Sequence, residues 1–229
     1  MLSIGLVGGM SWESSLQYYK LLNETVEERL GGLHSARLVL SSVEFAELTE
    51  LQEAGRWDDV AALLSGAARG VEAAGADLLL MCTTAFHTVA DQVEGAVSIP
   101  FVHLADVVAR ACTARGLGSV GLLGTSYTMQ QPFFVDRLAS HGLRVVVPDV
   151  RHHEAINAIV YDELVHGKVV DSSRARVVKV IDELWDDGAE GVILGCTELE
   201  LLVKQADCEI PVFPCTTLHV EAALDRALV

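Results

Sequence analysis

Basic residues, prolines and long apolar runs are all scarce in this sequence. Sixteen Lys and Arg residues stand against 32 Asp and Glu residues, which gives a formal net charge of −16. A surface this negative repels a phosphate backbone or an anionic bilayer, so neither nucleic acid nor a membrane is an expected partner. The apolar runs are much shorter than the roughly 20 residues of a membrane span, and no signal-like stretch opens the sequence. We therefore expect a soluble, cytoplasmic protein.

The sequence also lacks the motifs that hold metals and common cofactors. Its five cysteines are odd in number and form no C-x-x-C pair, so neither a disulfide framework nor a zinc site is indicated. There is no nucleotide-binding G-x-G-x-x-G or G-x-x-x-x-G-K-[ST] pattern, and no evident lysine for pyridoxal phosphate. We expect free thiols, no metal and no cofactor.

Short apolar runs alternate with longer stretches that have helical spacing. Hydrophobic residues make up 51% of the 229 residues and only 5 are proline, which is typical of an ordered globular protein. The runs "SIGLVGG", "ARLVLSSVEF", "ADLLLMC" and "SIPFVHL" are predicted as buried strands, with helices over 16–30 and 57–74 between them. The pattern predicts an α/β fold with parallel, doubly wound sheets.

The strand pattern begins again near residue 117. The runs "SVGLLGT", "LRVVVPD", "GVILGC" and "EIPVFP" follow in the same order, and the offsets Gly5 to Gly121 (116), Gly75 to Gly188 (113) and Ile99 to Ile210 (111) are nearly constant. We predict two pseudo-symmetric half-domains, each with a parallel, roughly four-stranded sheet flanked by helices. The expected boundaries are 1–98 plus 212–229 for the first half-domain and 99–211 for the second.

The repeat sets two small nucleophilic side chains against each other. With the offset of 113, Thr83 corresponds to Cys196, and each follows a predicted strand. Ligands of open α/β sheets bind outside the carboxyl ends of the strands, so we expect both residues in one cleft between the half-domains. Two opposed bases can remove a proton from one face of a carbon and deliver one to the other. A thiol suits this role, and the helix start predicted after Cys196 is expected to lower its pKa.

The chemical role of Thr83 is less clear from the sequence than that of Cys196. A hydroxyl is a very weak base, so Thr83 needs a neighbouring group to relay its proton, and His87 is one candidate if a helix follows Thr83; a structural role for His87 is equally open. Cys82 precedes Thr83 and points the other way in a strand, which ranks it below Thr83. Glu198, near Cys196, either assists proton transfer or only favours the helix start.

Several motifs together resemble one known family. "GLVGGMSWES", "RLGGLHSA", "MCTTAFH", "LLGTSYTM" and "LGCTEL" are similar, in order and over almost the whole chain, to the cofactor-independent aspartate/glutamate racemase superfamily, in its amino-acid racemase branch. The resemblance implies two α/β half-domains with the active site between them, a pair of catalytic residues at Thr83 and Cys196, and a dimer. It also implies that a bound amino acid contacts residues at five positions, namely Met10, Gln52, Thr84, Thr125 and Thr197.

Three sites depart from the pattern that the resemblance implies, one of them being Pro214, which replaces an aspartate commonly seen before the final threonine pair. Thr84-Ala85 stand where the family usually has Asn-Thr, and Ala155 replaces an expected lysine that would hold a substrate carboxylate. We therefore expect a substrate that is related to aspartate or glutamate but neutral or modified at its distal end. Other superfamily chemistry (decarboxylase, hydantoin racemase or cis-trans isomerase) and non-catalytic binding of a small molecule remain open alternatives.

Overall fold

The computed structural model describes residues 1–228 and divides into two compact units. The first unit consists of Met1–His103 with the C-terminal residues from His219 onward, and the second consists of Leu104–Leu218. The divisions therefore fall five and seven residues later than 98 and 211 (103 − 98 and 218 − 211). The later division lies inside the C-terminal helix.

The first unit is built around a parallel sheet with the strand order β2-β1-β3. It contains, in chain order, β1 (Ile4–Gly8), α1 (Trp12–Leu30), β2 (Leu38–Ser42), α2 (Phe45–Glu53), α3 (Trp57–Ala73), β3 (Leu78–Met81), a 3₁₀-helix (Ala85–Val89) and α4 (Ala90–Glu94).

The fourth strand predicted for this unit is reduced to a single bridge. Phe101 pairs with Leu79, but the preceding residues do not join the ladder. The carboxylate of Glu72 instead accepts hydrogen bonds from the backbone N–H groups of Ser98 (2.8 Å) and Ile99 (3.2 Å), and Pro100 has no N–H to donate. These residues therefore cannot extend the sheet.

The second unit repeats this plan with a parallel sheet in the order β5-β4-β6-β7. Its α-helices and strands are α5 (Leu104–Ala114), β4 (Ser119–Leu123), α6 (Ser126–Gln130), α7 (Pro132–Ser140), β5 (Arg144–Val146), α8 (His153–Ala158), α9 (Asp171–Asp186), β6 (Val192–Leu194), α10 (Leu199–Leu202), β7 (Val212–Pro214) and α11 (Cys215–Ala227). One π-helical turn (Ile159–Glu163) and 3₁₀-helices at Val150–His152, Leu164–His166 and Gln205–Asp207 lie between them. The last part of α11 belongs to the first unit.

Each unit has a glycine at the equivalent position of its central strand, and a helix packs closely against it. A Cβ on Gly5 of β1 would lie 2.2 Å from Val71 of α3, and a Cβ on Gly121 of β4 would lie 2.9 Å from Leu184 of α9. Neither contact leaves room for a side chain, because cores are packed at crystal density. The glycines are 116 residues apart and the two helix residues 113 apart, the offsets found in the sequence. The predicted internal repeat and α/β fold are confirmed at the level of packing.

Candidate functional site

The repeat also holds where β3 of the first sheet and β6 of the second sheet end. The backbone N–H of Cys82, just after β3, donates to the carbonyl of Val7 in β1 at 2.9 Å. The backbone N–H of Gly195, just after β6, donates to the carbonyl of Leu123 in β4 at 2.6 Å. The first bond is the last between β1 and β3, and the second is the last between β4 and β6. Cys82 is thus equivalent to Gly195, so the next residues, Thr83 and Cys196, occupy equivalent positions in their own units.

In the second unit, Cys196 forms a compact polar group with the two residues that follow it. The Cys196 thiol donates a hydrogen bond to Oε2 of Glu198 at 2.8 Å, and the Thr197 hydroxyl donates to the same oxygen at 2.7 Å. All three residues are buried, with Cys196 only 7% exposed. The carboxylate of Glu198 therefore lies where it can accept the thiol proton.

The environment of Cys196 corrects one expectation from the sequence. Burial raises the pKa of the Cys196 thiol well above its ordinary value, and the charge of Glu198 and its hydrogen bond raise that pKa further. Backbone groups of Glu198 and Leu199 act in the predicted direction and lower the pKa, but they are smaller effects. The helix that follows, α10, is only one turn long, so its dipole offsets little of the burial cost.

In the first unit, Thr83 lies in the loop between β3 and the 3₁₀-helix. Thr83 and Thr84 are buried, and Cys82 before them is completely buried. Burial alone raises the pKa of Cys82, which makes its thiol a poor source of thiolate. The helix after Thr83 has 3₁₀ geometry, with about three residues per turn, so its periodicity does not set His87 above Thr83 as an α-helix would.

His87 belongs to a buried group of histidines that the sequence did not reveal. Its ring lies 4.9 Å from that of His103 and 6.1 Å from that of His219, measured between centroids. His219 donates from Nε2 to the carbonyl of Val102 at 2.6 Å, so its Nδ1 accepts the Tyr18 hydroxyl at 2.8 Å. Burial lowers the pKa of His219 to about 4, which keeps that ring neutral at physiological pH.

The residues proposed to contact substrate lie in different surroundings. Met10 is buried in the hydrophobic core of the first unit, just after β1, and Gln52 is half-buried near the end of α2. Thr125 follows β4, the strand beside β6, and its hydroxyl accepts the N–H of Thr128 at the start of α6. The hydroxyl of Thr197 already donates its proton to Oε2 of Glu198.

Ala155, the position of the missing lysine, is half-buried in α8. Asn157 on the same helix accepts the backbone N–H of Ser126 at 2.8 Å, which ties α8 to the start of α6. Arg151, a nearby cation in the sequence, is 2.9 Å from the carboxylate of Glu183. Its guanidinium is therefore engaged by an acidic partner.

Two residues near Cys196 were missed by the sequence reasoning. Tyr161 lies on the π-helical turn, and burial followed by the charges of Cys196 and Glu198 raises the pKa of its phenol. Glu200, on α10, is 3% exposed and has its carboxylate on the first turn of α11. A π-helical turn is often found at functional sites, but its hydrogen-bond pattern is invisible in sequence.

Neither a metal-binding cluster nor a membrane-spanning helix is found in the part of the chain that the structure describes. No group of three or more His, Cys, Asp or Glu residues within residues 1–228 has the geometry to hold a metal ion. In the same part of the chain, no helix combines the length and the apolar character needed to cross a bilayer.

Comparisons with known proteins agree over the whole length of the chain. A candidate Asp/Glu racemase from Yersinia pestis is 45% identical with a TM-score of 0.93, and both chains are covered completely. An aspartate racemase homologue from Pyrococcus horikoshii OT3 is 35% identical, with a TM-score of 0.91 and complete coverage of both chains. Picrophilus torridus aspartate racemase shares the fold at 19% identity and a TM-score of 0.77, over 99% of this chain and 94% of that one. The profile of the Asp/Glu/hydantoin racemase family matches residues 7–223, and the chain belongs to this family.

Proposed function

We propose that this protein is a cofactor-independent racemase or epimerase of an amino acid, with Thr83 and Cys196 as its two catalytic residues. Membership of the racemase family supports an isomerase. One observation carries the proposal: the Cys196 thiol donates a hydrogen bond to the Glu198 carboxylate at 2.8 Å. Cys196 also follows its strand at the position equivalent to that of Thr83. A buried thiol beside a proton acceptor is the arrangement that reversible proton transfer needs.

The first half of the proposed reaction takes place at Cys196. The thiol proton passes to the Glu198 carboxylate, and the thiolate that remains removes the α-proton of the substrate. The high pKa of Cys196 in its buried setting suits this step, because a thiolate that is costly to form is also a strong base. After the transfer Cys196 is again a thiol, and the substrate carries a carbanion at its α-carbon.

The second half delivers a proton to the opposite face of the carbanion. In our proposal the Thr83 hydroxyl donates this proton and is reprotonated by a neighbouring group, so that no free alkoxide is released. His87 is the candidate for that group, although the 3₁₀-helix does not place it directly above Thr83. The buried position of both side chains supports this, because exclusion of water strengthens short proton transfers. Before the next turnover Glu198 releases the proton that it accepted, and the group that reprotonated Thr83 takes one back, both by exchange with solvent. Reversal of the same steps then converts the other enantiomer.

We propose a substrate that resembles aspartate or glutamate but lacks the free distal carboxylate. Ala155 supplies no charge, and Arg151 already pairs with Glu183. Burial of an unpaired carboxylate costs several kcal/mol, enough to change preference by orders of magnitude. Amino acids with a neutral or blocked distal group avoid that cost, and Met10, Gln52, Thr84, Thr125 and Thr197 remain the proposed contacts to the bound amino acid.

Incubation with a panel of L- and D-amino acids in deuterium oxide tests the proposed function. We expect deuterium at the α-carbon together with loss of optical activity, read by NMR and chiral chromatography. Cys196→Ala should abolish racemisation with the fold retained, because little buried volume is lost. Release of carbon dioxide would point to a decarboxylase, and binding without exchange would point to a non-catalytic binder; either result rejects the racemase.

We further propose a homodimer in the cytoplasm. Trp12, Leu16 and Tyr19 lie at helical spacing on α1 and are 65%, 56% and 49% exposed, an apolar stripe of the kind that subunits cover. The free thiols are typical of a reducing compartment. Light scattering of the wild type and of Leu16→Glu should give a dimer and a monomer, respectively.

A further inference from the structure

Glu200 makes one of the contacts that connect the Cys196 segment to the rest of the second unit, beside the buried Leu199 and Leu202. Its Oε1 accepts the backbone N–H of Thr216 at 2.5 Å, and its Oε2 lies 3.2 Å from the hydroxyl and 3.4 Å from the backbone N of Thr217. Thr216 and Thr217 form the first turn of α11. A carboxylate from 16 residues away thus occupies the place of a helix cap.

The sequence explains why α11 needs a distant cap. Helix starts leave backbone N–H groups without partners inside the helix, and a Ser, Thr, Asp or Asn just before the helix usually accepts one of them. The residue before α11 is Pro214, which ends β7 and has no acceptor in its side chain. A negative charge is also favoured at this end of the helix dipole. Glu200 supplies the acceptor, and it supplies the charge in its ionised form.

The same contact restricts the residues that precede Glu200. α10 is one turn long and too short to be stable alone, so its position depends on side-chain anchors. The N–H of Leu199 donates to the carbonyl of Cys196 at 3.2 Å, and the N–H of Leu201 donates to the backbone carbonyl of Glu198 at 3.0 Å. A displacement of α10 would therefore be passed directly to the Cys196 thiol and the Glu198 carboxylate.

Stability alone does not account for an ionisable group at this position. Burial raises the pKa of Glu200 to about 7, and the N–H and hydroxyl donors of Thr216 and Thr217 only partly oppose this. A raised pKa means that ionised Glu200 disfavours the folded state, fully so above pH 7. An apolar side chain would avoid this cost but could not accept the α11 hydrogen bonds.

We propose that Glu200 is a positioning residue: it ties the turn that carries Cys196 and Glu198 to the first turn of α11 and so fixes the geometry of the proton-transfer pair. The inference rests on the proposed function for its catalytic meaning. The anchoring itself can be measured without turnover.

The test compares Glu200→Leu, which removes the acceptor, with Glu200→Gln, which keeps one acceptor oxygen and the shape. Alkylation of Cys196 by iodoacetamide, mapped by mass spectrometry, reports the anchoring. We expect Glu200→Leu to label Cys196 at least about fivefold faster, because local opening exposes a buried group, and Glu200→Gln to remain within about twofold of the wild type. Leu201→Ala, on the exposed side of α10, is the matched control and should not change the rate.

Two other thiols separate local from global effects. Cys208, which is partly exposed and whose carbonyl accepts from the Gln205 side chain, should keep its labelling rate, and the buried Cys112 should stay unlabelled. In the amino-acid exchange assay, Glu200→Leu should lower kcat about tenfold or more with little change in KM, because a small misplacement of reacting groups is costly.

The inference is overturned if Glu200→Leu labels Cys196 at the wild-type rate, or if Cys112 becomes reactive in step with Cys196. If the wild type shows no α-proton exchange on any amino acid, the proposed function fails, and the labelling comparison still decides whether Glu200 anchors Cys196.

Discussion

Replacement of Glu198 by glutamine separates the formation of the thiolate from its use. Glu198→Gln removes the charge that lies 2.8 Å from the Cys196 sulfur and keeps the size of the side chain. Since that charge raises the pKa of Cys196, its removal should lower the pKa and increase the thiolate fraction at any pH below it. The same change deprives the thiol proton of its acceptor.

The magnitude follows from the electrostatics of the pair. Two unit charges about 4 Å apart interact by about 4 kcal/mol at an effective dielectric constant of about 20. If half of this, about 2 kcal/mol, is realised, the thiolate fraction rises about thirtyfold, because 1.36 kcal/mol corresponds to a factor of about ten. The nucleophilicity of a thiolate falls as its pKa falls, with a Brønsted coefficient of about 0.5, so alkylation should accelerate only about fivefold.

The assay is the rate of iodoacetamide labelling at Cys196 between pH 7 and 9, beside racemisation by the same preparation. We expect faster labelling but a kcat reduced by about 10²-fold or more, the usual loss when a proton acceptor is removed. Glu209→Gln is the matched control, since it removes the same charge from an exposed residue of the second unit. Unchanged or slower labelling of Cys196 in Glu198→Gln would refute the electrostatic reasoning.

Three further changes test other parts of the argument. Thr83→Cys should increase turnover in the direction that protonation by Thr83 limits, because a thiol is a far better acid than a hydroxyl; equal rates in a chiral assay would mean that Thr83 only binds substrate. Ala155→Lys should lower KM for aspartate or glutamate about tenfold by supplying a charge-assisted hydrogen bond, and an unchanged KM would show that the missing cation is not the cause of poor binding. The lowered pKa of His219, about 4, means that its contribution to stability is complete above pH 6.5 and is lost as the pH falls to 4, at most about 3 kcal/mol. In urea titrations, His219→Gln should flatten this pH dependence; a slope equal to that of the wild type would contradict the assignment.

The strands were largely predictable because their residues carry local signals. The run that contains β3 and the run that contains β6 are apolar and bounded by turn residues, and their spacing also predicted the repeat. The absence of a fourth strand in the first unit could not be predicted. It depends on a hydrogen bond to Glu72, which lies 26 positions before Ser98 in the chain. Long-range contacts of this kind override local β propensity.

The equivalent positions of Thr83 and Cys196 were predictable from the sequence, but the electrostatics around Cys196 were not. The repeat alone placed Thr83 and Cys196 at equivalent strand ends. The pKa of Cys196 was expected to be lowered by a helix, yet burial dominates, because the helix is one turn long and Glu198 turns back onto the sulfur. Neither the length of α10 nor the direction of the Glu198 side chain is encoded in a pattern that spacing could reveal.

The interrupted first unit has a consequence for the order of folding during synthesis. The second unit is one continuous segment, Leu104–Leu218, so its core can close before the residues from His219 onward take part. The first unit cannot complete its structure at that time, because the partner of Tyr18 is His219, the partner of Arg29 is Asp225, and the N–H of Leu2 donates to Ala227. The segment that is made first is therefore finished last, and until then its histidine group lacks one of its members.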